Sequence, residues 1–277
     1  MNEEFILRPY IIKANSAGLC NQLIFIINGI LFCSKHKISN LLITDFITDN
    51  LNLTTKPIHE IINLNETNEF LKKYNVFITG SKNVSNNDKI NYTSLETNWI
   101  NEVEFFDIFH NIKFKDQYYN LSINLIKEIK FKLGDDIKIN VIHLRIESDS
   151  IIHWSKMNKM NPISFYKKLE QKYIYLINKF INKNAFTIVM TYSTKNNVIN
   201  FLKMNGYNFF ISRKDLSIGR ECNALKDLLL ARQMNNFFIC TGGSTFSHLI
   251  NNSTPNKKKT IIFDINNIIN PESVQDF

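Results

Sequence analysis

From Gly134 onward the chain alternates short β-rich apolar runs with longer stretches of helical period, and this alternation restricts its fold more than any other feature. Lys138 to His143, Phe186 to Thr191, Asn208 to Ser212, Phe237 to Cys240 and Thr260 to Phe263 read as strands. Between them the pattern predicts helices over Pro162 to Ile181, Lys195 to Met204, Asn223 to Met234 and Ser244 to Asn251. The first opens on a proline, whose missing N–H costs nothing in a first turn. Strands separated by helices at this spacing are βαβ units of a parallel sheet.

Upstream the signals are sparser. Arg8 to Lys13 reads as a strand, followed by the small-residue turn Ala14 to Gly18. Asn21 to His36 should be a helix with apolar residues on most faces, hence buried. Leu41 to Thr44 is a second short strand. Asp45 to about Asp116 is rich in Asn, Thr and Ser with weak periodicity, so loops, small helices and the short strand Val76 to Thr79 are expected there. A helix over Leu121 to Leu133 should stop at Gly134, the residue type that tolerates a left-handed C-terminal cap. The inferred architecture is α/β: two Rossmann-like domains with parallel sheets, 1–134 and 135–277, and a ligand in the cleft that they face.

Charge and composition narrow the partners. The chain of 277 residues carries a net charge of +8, which favours an anionic partner: nucleotide phosphates, nucleic acid or an acidic membrane. Nucleic acid needs a basic face with interleaved aromatics, and only Lys257-Lys258-Lys259 clusters, so no nucleic-acid partner is expected. The acidic start Met1-Asn2-Glu3-Glu4 lacks the pattern of a signal peptide. The apolar stretch Leu23 to Phe32 is interrupted by Asn28 and too short to span a bilayer. Cys20, Cys33, Cys222 and Cys240 show neither C-x-x-C nor zinc spacing, and free thiols fit a reducing compartment. A cytoplasmic chain without a transmembrane segment is the expectation.

Three loops carry the candidate chemistry. Gly18-Leu19-Cys20-Asn21-Gln22 sits at a strand-to-helix junction, where a helix N-terminus offers N–H groups to an anion. It can equally be an ordinary βα turn capped by Asn21. His143-Leu144-Arg145-Ile146-Glu147-Ser148-Asp149 follows a strand, at the edge where open α/β sheets hold ligands. Arg145 offers a fork of donors matched to phosphate, and Glu147, by alternation, could orient it. An edge strand with a solvated charge cluster is the plainer alternative. Thr241-Gly242-Gly243-Ser244-Thr245-Phe246-Ser247 joins two glycines and several hydroxyls to a helix start in a chain with only 8 glycines. Backbone N–H groups, hydroxyls and a helix dipole converge there as in a phosphate cradle, without the lysine of a P-loop. Asp227, expected near the start of its helix, either stabilises the helix dipole or contacts the nucleotide. No metal motif is present; Glu147-Ser148-Asp149 comes nearest to an acidic dyad.

Together the loops resemble the GT-B-type GDP-fucose fucosyltransferase superfamily, which includes the α1,2-, α1,6- and protein O-fucosyltransferases. Gly18-Leu19-Cys20-Asn21-Gln22 is similar to its N-terminal Gly-x-x-Asn-Gln motif, and His143-Leu144-Arg145 with Glu147 and Asp149 to its His-x-Arg motif. Asp227 through Ser244-Thr245-Phe246-Ser247 is similar to its third motif. The chain departs from the α1,2 pattern at Ile146 and from the usual Trp-Trp at His248-Leu249. The resemblance implies a GT-B-like pair of domains, acceptor-side first and GDP-sugar-binding second. It also implies an inverting transfer, without metal or other cofactor, of L-fucose or a related sugar from GDP to a glycan or protein hydroxyl. Arg145 would hold the β-phosphate, with Glu147 and Asp149 as candidate bases. His143 and Asp227 would lie near the guanosine; Gly243, Ser244, Thr245 and Phe246 would line the diphosphate pocket; Gly18 and Asn21 would approach from the N-terminal side. A non-catalytic nucleotide-sugar- or glycan-binding protein of the same fold is the alternative.

Overall fold

A computed structural model describes residues 10–12, 18–43, 45–49, 51–80, 103–212, 214–253, 259–268 and 275–276. The chain forms two compact units: Met1–Asn120 with Asp215–Lys226, and Leu121–Lys214 with Asp227–Phe277.

The first unit begins with β1 (Tyr10–Ile12), α1 (Leu19–Lys35), β2 (Asn40–Ile43), β3 (Phe46–Asp49) and β4 (Thr54–Lys56). Then come α2 (Ile58–Ile61), α3 (Leu64–Leu71), β5 (Phe77–Gly80), α4 (Val103–Asn111) and the start of α5 (Asp116–Leu133). β1, β2 and β5 form a parallel sheet in that order, and β3 and β4 an antiparallel pair. As its composition requires, α1 is buried on most faces. Its buried Gln22 is satisfied by the Ile47 backbone: the amide oxygen accepts from N–H at 2.8 Å and the amide nitrogen donates to C=O at 3.0 Å. Part of the notably irregular stretch, 81–102, lies outside the described residues.

Gly219, in the 215–226 segment, has φ +82, and a Cβ there would sit 2.4 Å from the Thr48 carbonyl oxygen. Both obstacles are backbone, so no rotamer relieves them. Gly219→Ala should cost about 1–3 kcal/mol, read as a lower denaturant midpoint with unchanged slope.

The second unit contains β6 (Ile139–His143), α6 (Ser148–Met157), α7 (Pro162–Phe180), β7 (Phe186–Met190), α8 (Asn197–Met204) and β8 (Asn208–Ile211). After α9 (Arg220–Ala231), which begins in the first unit, follow β9 (Phe237–Thr241), α10 (Thr245–Ser253), β10 (Lys259–Phe263) and β11 (Gln275–Asp276). The sheet order is β11-β10-β9-β6-β7-β8, parallel except for β11. All five residues of β6 are buried, as expected of a central parallel strand covered on both faces. Counted from β6, the parallel strands lie 3-2-1-4-5, so the order reverses between β6 and β9. Ligands of open α/β sheets bind beyond the strand C-termini at such a reversal.

Local chemistry sets the element ends. Asn161 and Asn196 cap α7 and α8, accepting from Ile163 N and Ile199 N at 2.9 Å each. Gly134, at φ +96, closes α5 and donates its N–H to Lys130 O at 2.8 Å. The contact division of the chain falls inside this same helix, before the boundary expected at Gly134. Two elements differ from expectation. The charged cluster runs into a helix, Ser148–Met157, that the pattern does not announce, and α9 starts at Arg220 rather than Asn223.

Candidate active site at the sheet's switch point

β6 delivers His143 to the C-terminal edge of the sheet. Its Nδ1 lies 2.8 Å from Ser247 Oγ in the first turn of α10, and its ring packs edge-on against Phe246 with centroids 5.0 Å apart. Residues from the loops after β6 and β9 therefore meet across the switch point. Burial, aided by the positive charges of Arg145 and Lys214, pushes the imidazole pKa down to about 3, so the ring is neutral.

That shift has a sign. The unfolded chain protonates this histidine near pH 6.5 and the folded chain only near pH 3, so unfolding takes up a proton between those values. The stability is fully present above pH 6.5 and falls as pH drops towards 3, about tenfold in unfolding constant per pH unit. Denaturation of His143→Gln should show a pH dependence one proton shallower in that window; parallel curves would refute a neutral buried imidazole.

The chain does not continue as a strand past His143, which corrects the expected alternation. The buried Tyr173 hydroxyl donates to His143 O at 2.7 Å and accepts from Arg145 N at 3.2 Å, holding the turn into α6. Glu147 and Asp149, at the start of α6, both reach the guanidinium: Nη1 donates to Glu147 Oε2 at 3.1 Å and Nη2 to Asp149 Oδ2 at 2.7 Å. Glu147 Oε1 also accepts from Tyr192 N at 3.3 Å, beyond the end of β7. The carboxylates thus aim the arginine, at the expense of part of its donor capacity.

In the loop after β9, Gly242 donates its N–H to Phe263 O at 3.0 Å, and Gly243 to Thr241 Oγ1 at 3.3 Å. A Cβ on Gly243 would meet the Trp154 ring of α6 at 3.0 Å, so any side chain here would have to push that ring aside. Ser244 Oγ accepts from Ser247 N at 3.5 Å, the geometry of an N-cap. Gly243 and Thr245 are exposed and Phe246 is half-buried at the same helix start, whose first amides have no helical carbonyl to bond.

Asp227 lies well inside α9 rather than near its start, so the dipole reading fails: that effect fades within the first turn. Its side chain is 7% exposed. One carboxylate oxygen accepts from Ser212 Oγ, and the other from Lys214 Nζ. Ser212 and Lys214 follow β8, Tyr192 follows β7, and none was singled out from sequence. Their one signal is position just past an apolar run at the ligand-bearing edge. Tyr173, within α7, gives no such signal.

Gly18 and Asn21 belong to the first unit. Gly18 precedes α1 with φ −64 and ψ 167, ordinary extended backbone, and a Cβ there would lie 3.4 Å from Glu221 Oε2. Leu19 N donates to that same Glu221 oxygen at 2.5 Å. One amide of this helix start is therefore met by a carboxylate of the chain itself. Asn21 is exposed inside the helix and does not cap it. Ala14 to Ala17 lie outside the described residues.

Among the described residues no cluster of three or more His, Cys, Asp and Glu side chains is placed to hold a metal ion, and no helix is long and apolar enough to cross a membrane. The four cysteines are buried and form no disulfide.

A mixed α/β chain with parallel sheets, bearing a histidine, an arginine and a glycine-hydroxyl turn at a switch point, has the form of the open α/β proteins that bind their ligands there. Solved structures make the fold more particular: it is that of known fucosyltransferases. POFUT1 in complex with GDP-fucose superposes with a TM-score of 0.58 at 10% identity, covering 92% of this chain and 98% of that one. A mutant of Arabidopsis thaliana FUT1 in complex with GDP gives 0.52 at 9% identity, covering 99% and 75%. Fucosyltransferase NodZ from Bradyrhizobium gives 0.51 at 13% identity, covering 98% of each. No protein-family model matches the sequence, and no curated protein does. At these identities the likeness is one of fold.

Proposed function

We propose that the chain is an inverting, metal-independent glycosyltransferase that moves a sugar, L-fucose, from a GDP-sugar to a hydroxyl of a glycan or protein. The observation that carries this reading is the contact of His143 with Ser247 and Phe246 of the Gly242 to Ser247 turn at the β6/β9 switch point, with the charge of Arg145 close to the same imidazole. The fold is shared with proteins solved with GDP-fucose, which supports the donor class. Arg145 would hold the β-phosphate, Gly243 to Phe246 would line the diphosphate pocket, and His143 and Asp227 would lie near the guanosine.

In the proposed step the bond between sugar C1 and the β-phosphate oxygen breaks, and its electron pair stays on the phosphate. The acceptor oxygen bonds to C1 from the opposite face. Negative charge grows on the diphosphate, so donors fixed there stabilise the transition state. Glu147 and Asp149 are both engaged by Arg145 and the departing phosphate lies on the opposite face, so the acceptor's proton passes to water on the acceptor's own side of the ring.

The test is thermal stabilisation by GDP, UDP, ADP and CMP, each with magnesium or with EDTA. GDP alone should raise the melting temperature, equally under both conditions, and hydrolysis or transfer of fucose from GDP-fucose should follow. A preference for UDP or a strict metal requirement would overturn the reading.

A further inference from the structure

The chemistry at Arg145 makes no use of Lys214, yet this residue stands at the same edge of the sheet. It follows β8, its side chain is 13% exposed, and its ammonium donates to one Asp227 oxygen while Ser212 Oγ donates to the other. The ammonium also lies 4.8 Å from the centroid of the Tyr192 ring, itself 40% exposed just past β7. Lys214 is close enough to His143 to help keep that imidazole neutral. An ammonium over a partly exposed ring, paired with a carboxylate and near a neutral histidine, sets a donor beside an acceptor, a pair that suits the edge of a heterocyclic base.

We propose that Lys214 is a specificity-determining residue that donates to O6 of guanine, beside Asp227 facing N1–H. This rests on the nucleotide-site reading given above. A lactam edge offers an acceptor next to a donor, the complement of an ammonium next to a carboxylate. Adenine carries these in the opposite order, an amino donor at position 6 and an acceptor at N1. Once ribose and diphosphate fix the direction of the ring, it cannot turn to match. Lys214 thereby selects a 6-oxo purine over a 6-amino one.

The test compares GDP with 6-thio-GDP, in which O6 becomes sulfur, a poor hydrogen-bond acceptor, by calorimetry on the full chain. The unaltered protein should bind GDP roughly tenfold or more tightly than the thio analogue, the worth of a hydrogen bond to a charged group. Lys214→Met should bind both within about twofold of each other, the difference having left with the donor. Equal binding by the unaltered protein overturns the proposal, as does a preference that Lys214→Met retains. Should that variant not fold, the double variant Lys214→Met with Asp227→Leu removes the unpaired carboxylate and weakens both nucleotides alike at N1–H; a lost preference supports the assignment and a retained one overturns it. If the unaltered protein binds neither nucleotide, the nucleotide-site reading itself fails and this one with it. GDP binding without discrimination at position 6 removes only the role of Lys214.

Discussion

Arg145→Ala is expected to lower sugar transfer from GDP-fucose by about a hundred- to a thousandfold, the usual cost of one donor aimed at a developing anion. The guanidinium is the one strong cationic fork at the β6/β9 edge among the described residues, and two carboxylates fix its direction. Its loss removes charge where the diphosphate would depart and leaves Glu147 and Asp149 facing the same phosphate. The repulsion should also abolish thermal stabilisation by GDP. Arg145→Lys keeps the charge but not the fork, because one ammonium cannot satisfy both carboxylates and a phosphate in that geometry. It should recover GDP binding better than turnover. Folding should change modestly: the pair with the 58% exposed Asp149 contributes about 0–1 kcal/mol, while Glu147, more shielded, loses its counter-charge but keeps the Tyr192 N–H. Steady-state kinetics with a melting control reads all three; transfer within tenfold of the unaltered protein would place the leaving group elsewhere.

The second large effect concerns stability. Asp227→Ala should cost about 3–5 kcal/mol, because it strips a shielded ammonium of its counter-charge and the Ser212 hydroxyl of its acceptor. Pairing Asp227→Leu with Lys214→Met should recover much of that loss, since an apolar pair of similar volume removes both desolvation penalties together. Urea denaturation of the two single variants and the double gives the coupling. A loss below about 1 kcal/mol for Asp227→Ala would mean that Lys214 finds water or another partner, and that the pair is less shielded than its 7% and 13% exposures indicate.

How much of this was legible beforehand differs element by element. Strands β6 to β10 fall within a residue or two of the apolar runs that announce them, and Pro162 and Gly134 mark a helix start and a helix end as their backbone chemistry demands. Those signals act over a few residues, where local sterics and periodic burial dominate. α6 escaped notice because its first turn is the charged cluster itself: Glu147 and Asp149 read as loop residues until the turn held by Tyr173 folds them back on Arg145. Helix α9 extends upstream because residues 215–226 dock within the first unit, where Glu221 meets Leu19 and Gly219 lies against Thr48.

By itself, then, the sequence determined that this is an alternating α/β chain, where its strands end, and that His143, Arg145 and the Gly242 to Ser247 turn stand at those ends. Periodicity, proline and glycine are local properties and need no partner. Only the tertiary structure decided the 3-2-1-4-5 order that makes β6 and β9 neighbours, the contact of His143 with Ser247, and the pairing of Lys214 with Asp227. Each of these joins groups distant in the chain, and what selects them is the burial of shared apolar surface and the need of every buried polar group for a partner, neither of which is written in any short stretch of residues.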